Sequence, residues 1–275
     1  MEIFHERFVH YALAAGVMIG GLCSLLGVWV VMKRIVFLGV ALAEVSALGV
    51  AAGLMIGIDP VASSLVLTVL AAVLFWAPAG VRRLSRESLI GYTYVLAAAL
   101  AVVLIARNPA AESRGLDLVS GNLLYVEGRD LAIVGVLAAA VIALYAVLHR
   151  TFLFVSFDPE TARAWGVRAP LYDLLIYLSI GVTVGVTMKV AGVLFVFGSL
   201  VVPPIAGLLL SRRMGGVIAW SVACGIVSAA GGTAASIVLD WPTAPSILLA
   251  ACAIVAVIAL AGAGVRRAHR GGGRS

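Results

Sequence analysis

"SFDPETARAWGVRAP", residues 156–170, is the most polar ordered-looking stretch in a chain that is otherwise strongly apolar. It begins as a short helix begins. Asp158 can accept hydrogen bonds as an N-cap and Pro159 suits the first helical position. Gly166 can end the helix in the left-handed conformation. The spacing predicts a helix of about seven residues within 158–166, roughly 10 Å long at ~1.5 Å per residue. A short polar helix between two long hydrophobic segments needs a reason that local propensity does not supply.

The surroundings define that reason. The chain has 275 residues, 63% of them hydrophobic and only 12% charged, with a mean hydropathy of +1.15. Water-soluble domains carry roughly 25% charged residues. The composition therefore predicts an all-α integral membrane protein and excludes a soluble enzyme. No polar stretch is long enough to hold a separate core. Cys23, Cys224 and Cys252 all lie in apolar runs and read as small buried hydrophobes, with no disulfide or metal-binding spacing. The net charge of +6 reads as basic flanks of membrane spans rather than as a nucleic-acid surface. The run from Phe8 is longer than a signal-peptide core and reads as a retained span.

A span needs about 20 mainly apolar residues. Nine candidates follow: 8–32, 35–58, 60–81, 90–106, 131–149, 171–188, 190–210, 217–239 and 244–264. Pro203 and Pro204 interrupt the seventh, so a polytopic bundle of 8–9 transmembrane helices is expected. The prolines suit a broken helix at a gate or a simple kink. Alternate loops divide the 19 basic residues unequally. Lys33, Arg34, Arg82, Arg83, Arg86, Arg150, Arg163, Arg168, Arg212, Arg213, Arg266, Arg267, Arg270 and Arg274 share one side. Arg7, Arg107, Arg114, Arg129 and Lys189 share the other. The positive-inside rule puts the first set in the cytoplasm, the N-terminus outside and the C-terminus cytoplasmic. Residues 1–265 then form a single transmembrane domain, followed by a basic flexible cytoplasmic tail, 266–275.

This places 156–170 in the cytoplasm as the longest connection on that side. From its residues alone it is a solvated turn, a helix lying on the membrane surface, or a helix that docks into a groove on a soluble partner. Trp165 fits such a groove and fits equally an interfacial anchor.

"FDPETARAWGV" resembles the cytoplasmic coupling helix of ABC importer permeases, above all the zinc, manganese and iron importer family. Its pattern is close to Phe-Asp-Pro-Glu-x-Ala-x-x-x-Gly, matched by Phe157, Asp158, Pro159, Glu160, Ala162 and Gly166. Four further segments are similar in family order: 34–60, 87–106 with Glu87 and Ser88 at its Asp-Thr position, 118–131, and 190–210. The resemblance spans about residues 10–260. It implies a permease in the bacterial cytoplasmic (inner) membrane that works with a second copy of itself, two cytoplasmic ATP-binding subunits and an extracytoplasmic metal-binding protein. ATP would be used by the partner ATPase, with no cofactor bound by this chain. Membrane lipid is the other partner and nucleic acid is not one. The short helix would pass ATPase closure to the spans, presenting Ala162, Arg163 and Trp165 on an exposed face.

An ionisable residue inside a span costs at least ~2.5–3.5 kcal/mol at the centre and marks a functional hypothesis. Glu44 is that residue, about nine positions into the second span. In the metal importers the corresponding span usually reads Gly-Asp-Ala-x-x-His, with Asp and His facing the path. Here Gly39 keeps its place, Val40 stands for the Asp and Glu44 for the His. Val40, Glu44 and Ser46 are thus the candidate path residues, and Glu44 the candidate metal ligand. Zinc favours imidazole and thiolate, whereas manganese accepts carboxylate and water. Glu44 on each of two subunits would hold a cation only briefly, as a conduit requires. A packing role for Glu44 is the other reading the residues allow. Ser46 and Ser199 suit path lining or helix packing.

The function expected is a divalent-metal importer permease, for zinc or manganese, and not an enzyme. An ABC permease for a metal chelate is the alternative. A stand-alone secondary transporter is disfavoured, because those place several polar groups at the midplane. Neither a P-loop nor an HExxH or GxSxG motif occurs in the chain.

Overall fold

The computed structural model describes residues 7–77, 85–107, 123 and 126–271, with the side chains of 7, 8, 86 and 263–271 excepted. Arg82, Arg83, Arg114, Arg274, half of the 118–131 segment (118–122, 124 and 125) and the end of the basic tail, 272–275, lie outside the described residues. The helices, in order, are α1 (Arg7–Met32), α2 (Val36–Ile56), α3 (Pro60–Trp76), α4 (Arg86–Ala106), α5 (Gly128–Phe157), α6 (Pro159–Ala164), α7 (Ala169–Leu210), α8 (Met214–Leu239) and α9 (Thr243–Gly271). No strand occurs among the described residues. Seven of the helices are long and apolar enough to cross a membrane; α3, with 17 residues, is shorter.

Local chemistry accounts for several ends. Asp59 caps α3 by accepting from the Val61 amide at 3.4 Å, and Pro60 follows at the first position. Ser85 caps α4 by accepting from the Ser88 amide at 3.1 Å. Gly57 ends α2 at φ +80°, a conformation that costs other residues about 1–2 kcal/mol. α5, with 30 residues, is longer than the span expected over 131–149. At ~1.5 Å per residue it is longer than a ~30 Å hydrocarbon core is thick, and Arg150 in its last turns is exposed.

α7 cannot be straight. Its 42 residues would extend about 63 Å. Asp173, near its start, pairs with Lys33. Leu200 and Pro204, late in the helix, pack on Gly27, only six residues before Lys33. The chain must therefore fold back in between, and it does so at Gly192, where φ is 77° and ψ is 163°. This corrects the expectation of a break at Pro203 and Pro204. Both are buried and helical. Prolines 203 and 204 remove the helical donors of the Ser199 and Leu200 carbonyls. Close approach by α1 covers that surface: a Cβ at Gly27 would lie 2.2 Å from the Leu200 oxygen.

The two arms of α7 form the centre of the bundle. The first arm packs on α3, with Gly181 against Ala72 and Gly185 against Leu65; the second packs on α1, α2, α8 and α9. α1 lies between that second arm and α8. Contacts this close need small residues, as expected where lipid tails leave helices little hydrophobic reason to associate.

Cys23 and Cys224 are buried and Cys252 is exposed, so the third cysteine departs from the buried reading. It falls on the outward face of α9, whose apolar residues surround the whole helix and leave no sequence signal for direction.

Candidate functional site

Two features stand out from the packed bundle: an open stripe on α2 and the short helix α6.

α2 packs chiefly against α3, α4 and α7. From Leu38 to Gly53 twelve residues are buried, and the other four are Val40, Glu44, Leu48 and Ala52. Four-residue spacing aligns these four as one stripe along the helix. Glu44 sits within it, half-buried, with no hydrogen bond or ion pair among the described residues. The small residues Ala41, Ala47 and Ala51 on the same helix turn inward and are buried. Ser46 is also fully buried; its Oγ lies 2.6 Å from Ser64 Oγ, across the α2–α3 contact. Ser199 is buried in the second arm of α7. The structure thus puts Val40 and Glu44 on one part-exposed face and buries Ser46 in the α2–α3 contact. Leu48 and Ala52 complete that face and were not among the candidate path residues. Their spacing of four and eight residues from Glu44 was the available signal, hidden because the residues around them are apolar too. Among the described residues no group of three or more His, Cys, Asp or Glu side chains is positioned to hold a metal.

α6 follows its sequence signals closely. Asp158 Oδ1 accepts from the Thr161 amide at 2.9 Å, and Pro159 takes the first position. Hydrogen bonds from the Thr161 side chain and amide hold the Asp158 carboxyl below the usual carboxylate range. At the other end Gly166 adopts φ +80°. Its amide donates to the Arg163 carbonyl at 3.0 Å, and the Val167 amide donates to the Ala162 carbonyl at 3.0 Å. That pair of bonds is a Schellman motif. A helix of six residues is thereby fixed at both ends, where an uncapped helix of this length would fray.

One expectation for α6 is corrected. Ala162 is not presented outward; it is 0% exposed and packs with Val155 and Ala169. The methyl group is the helix's anchor, small enough to let α6 lie close to the ends of α5 and α7. Glu160, Thr161, Arg163, Ala164 and Trp165 are exposed, Trp165 at 80%. Phe157, just before the cap, is exposed as well.

Polar and aromatic contacts tie together the seat beneath α6. Lys33 Nζ meets Asp173 Oδ1 at 2.5 Å, joining the end of α1 to the start of α7. Trp76 Nε1 donates to the Pro170 carbonyl at 3.0 Å, joining α3 to α7. Deeper in, aromatic rings link α1, α5 and α7: Trp29 to Tyr145 at 4.6 Å, Tyr145 to Phe152 at 4.8 Å and Phe152 to Tyr172 at 6.3 Å between centroids. Sequence reading treated Lys33 only as a topology residue and did not single out Asp173. At the opposite end Lys189 Nζ lies 3.4 Å from Asp130 Oδ1.

Comparison with known proteins agrees with this architecture. The profile of the ABC 3 transport family, "ABC-3", matches residues 5–262. The manganese transport system membrane protein MntC of Halalkalibacterium halodurans is 25% identical over 259 residues, covering 93% of this chain and 88% of that protein. The high-affinity zinc uptake system membrane protein ZnuB of Haemophilus influenzae is 24% identical over 239 residues, covering 86% and 91%. Among solved structures, PsaBC from Streptococcus pneumoniae in complex with Fab superposes with a TM-score of 0.83 at 21% identity, covering 93% of this chain and 92% of that one. That likeness shows a shared fold.

Proposed function

The chain belongs to the ABC 3 transport family, and from that premise we propose that it is the permease of an ATP-driven importer for a divalent metal ion, manganese or zinc. It is a multi-pass protein of the bacterial inner membrane. The observation that carries the coupling role is α6: a stiff, doubly capped helix, exposed except at Ala162 and seated on the ends of α5 and α7. A rigid projection of this kind transmits force in a way that a frayed loop does not.

Nine crossings follow if α3 spans and α7 counts as two arms about Gly192. The N-terminus is then outside and the C-terminus cytoplasmic, with α6 on the cytoplasmic side among Arg150, Arg163, Arg168, Arg212 and Arg213. The working assembly is a homodimer with two cytoplasmic ATPase subunits and an extracytoplasmic metal-binding protein. This chain forms the path and binds no cofactor; ATP is used by its partner. Residues 1–265 act as a single permease domain.

The path runs along the α2 stripe. Between Leu38 and Gly53, Val40, Glu44, Leu48 and Ala52 are the residues that α2 leaves part-exposed within one subunit, and a second copy facing them would enclose a passage with two carboxylates. Oxygen donors without imidazole or thiolate favour a hard divalent ion that keeps part of its water shell. Relatives whose names give manganese and zinc cover most of the chain, so the metal-chelate alternative is not favoured. The test is ATP-dependent uptake of manganese and of zinc into vesicles holding the full chain, its ATPase and its binding protein. Uptake of either ion supports the function; failure to take up both, with ATP hydrolysis intact, contradicts it.

A further inference from the structure

A cavity of about 380 Å³ opens beside α6, lined among others by Lys33, Trp76, Ser156, Pro159, Arg163 and Asp173. That volume is within the range of small-ligand sites. Its chemistry is unbalanced. Asp173 is committed to Lys33, while Arg163 makes no ion pair among the described residues. The Ser156 hydroxyl is buried without any hydrogen-bond partner, although a buried hydroxyl left unsatisfied ordinarily costs about 1–3 kcal/mol. Trp76 is held in the wall by its bond to the Pro170 carbonyl. One surplus positive charge, a serine whose hydroxyl has no partner and an indole thus line one cavity where five helix ends meet.

We propose that this cavity is a binding site for a phosphate-bearing anion, held by the Arg163 guanidinium, the Lys33 ammonium and the Ser156 hydroxyl. A guanidinium fork matches phosphate oxygens in two parallel hydrogen bonds. Basic pockets between transmembrane helices on the cytoplasmic side recognise anionic lipid headgroups in this way. The location at the water boundary rests on the span assignment proposed above; the binding itself is measured without transport. Pro159 and Arg163 belong to α6, so an anion held here ties the coupling helix to the ends of α1 and α7.

The shared chemistry has two sources, a lipid headgroup and free phosphate, and the experiment separates them. Full-length protein is reconstituted in phosphatidylcholine alone or mixed with phosphatidylglycerol, and retained lipid is counted by native mass spectrometry. In parallel, its melting temperature in detergent is followed with added inorganic phosphate. Arg163→Gln should lower retention of phosphatidylglycerol roughly tenfold, the equivalent of one charge-assisted hydrogen bond. Arg212→Gln, an exposed charge outside the cavity, should leave it unchanged. If phosphatidylglycerol is not retained but phosphate raises the melting temperature of the wild type and not of Arg163→Gln, the site stands as one for free phosphate. Ser156→Ala, which removes only a hydroxyl, carries the same comparison if Arg163→Gln does not fold. Equal loss in the Arg163 and Arg212 variants, or no selectivity for either anion, overturns the proposal.

Discussion

Lys33 Nζ and Asp173 Oδ1 meet at 2.5 Å, 140 residues apart in the chain, and so tie the end of α1 to the start of α7 directly beside the short helix α6. Both side chains are mostly buried, at 15% and 20% exposure. A pair in that setting is worth more than a surface ion pair, and removing one partner strands the other. Lys33→Gln and Asp173→Asn should each lower stability in detergent by about 1–3 kcal/mol. The double variant should lose less than the sum, a coupling that a double-mutant cycle reads out. Strict additivity would show that the contact contributes nothing.

A second prediction concerns helix packing. Gly27→Ala would put a methyl group 2.2 Å from the Leu200 carbonyl oxygen, with Pro204 also in the way. Backbone cannot yield there as a flexible side chain can, so a loss of about 1–3 kcal/mol or more is expected. Gly91→Ala meets nothing within 4 Å and should be neutral or slightly stabilising, since alanine is the better helix former. Thermal unfolding of the two variants makes the comparison.

The cap of α6 sets a pH dependence. The Thr161 bonds hold the Asp158 carboxyl below its ordinary value in the folded protein. Stabilisation by the ionised cap is therefore complete at neutral pH and is lost as the pH falls through the lowered folded value. Hydrogen exchange of the α6 amides should accelerate over that acidic range. Asp158→Ala should show fast exchange at every pH, while Asp158→Asn, a cap that does not titrate, should keep protection with no acidic transition. A pH-independent wild type would contradict the capping account.

Coupling to the ATPase is predicted to depend on the outward side of α6. Trp165→Ala and Glu160→Lys alter exposed residues and should reduce co-purification of the ATPase without altering the permease's melting temperature. Ala162→Arg, by contrast, forces a charge into a site with no free space and should lower the melting temperature itself. Full ATPase recovery with Trp165→Ala would assign that ring to the membrane interface instead.

The sequence was informative where a residue's chemistry acts locally. Asp158, Pro159 and Gly166 mark the ends of α6 within a residue or two, because caps work through neighbouring amides. Glu44 was legible because a carboxylate inside an apolar run is anomalous whatever surrounds it. Direction was harder to read. α2 is apolar on every side, so no periodicity separated Val40, Leu48 and Ala52 from the buried residues between them. Ala162 belongs to a helix too short to show a face. The turn in α7 lies at Gly192, one glycine among many, while Pro203 and Pro204 drew attention to a point where the helix continues. Asp173 was not singled out, since its partner Lys33 is brought to it only by the fold.

The account's central claim is that the metal passes along the α2 stripe past Glu44. The most direct measurement is ATP-dependent manganese and zinc uptake by vesicles carrying the Glu44→Gln chain with its ATPase and binding protein. Loss of a charged ligand to the ion predicts uptake reduced roughly tenfold or more, with assembly and melting temperature unchanged. Uptake equal to wild type at equal protein level would contradict the claim and leave Glu44 as a helix-packing residue.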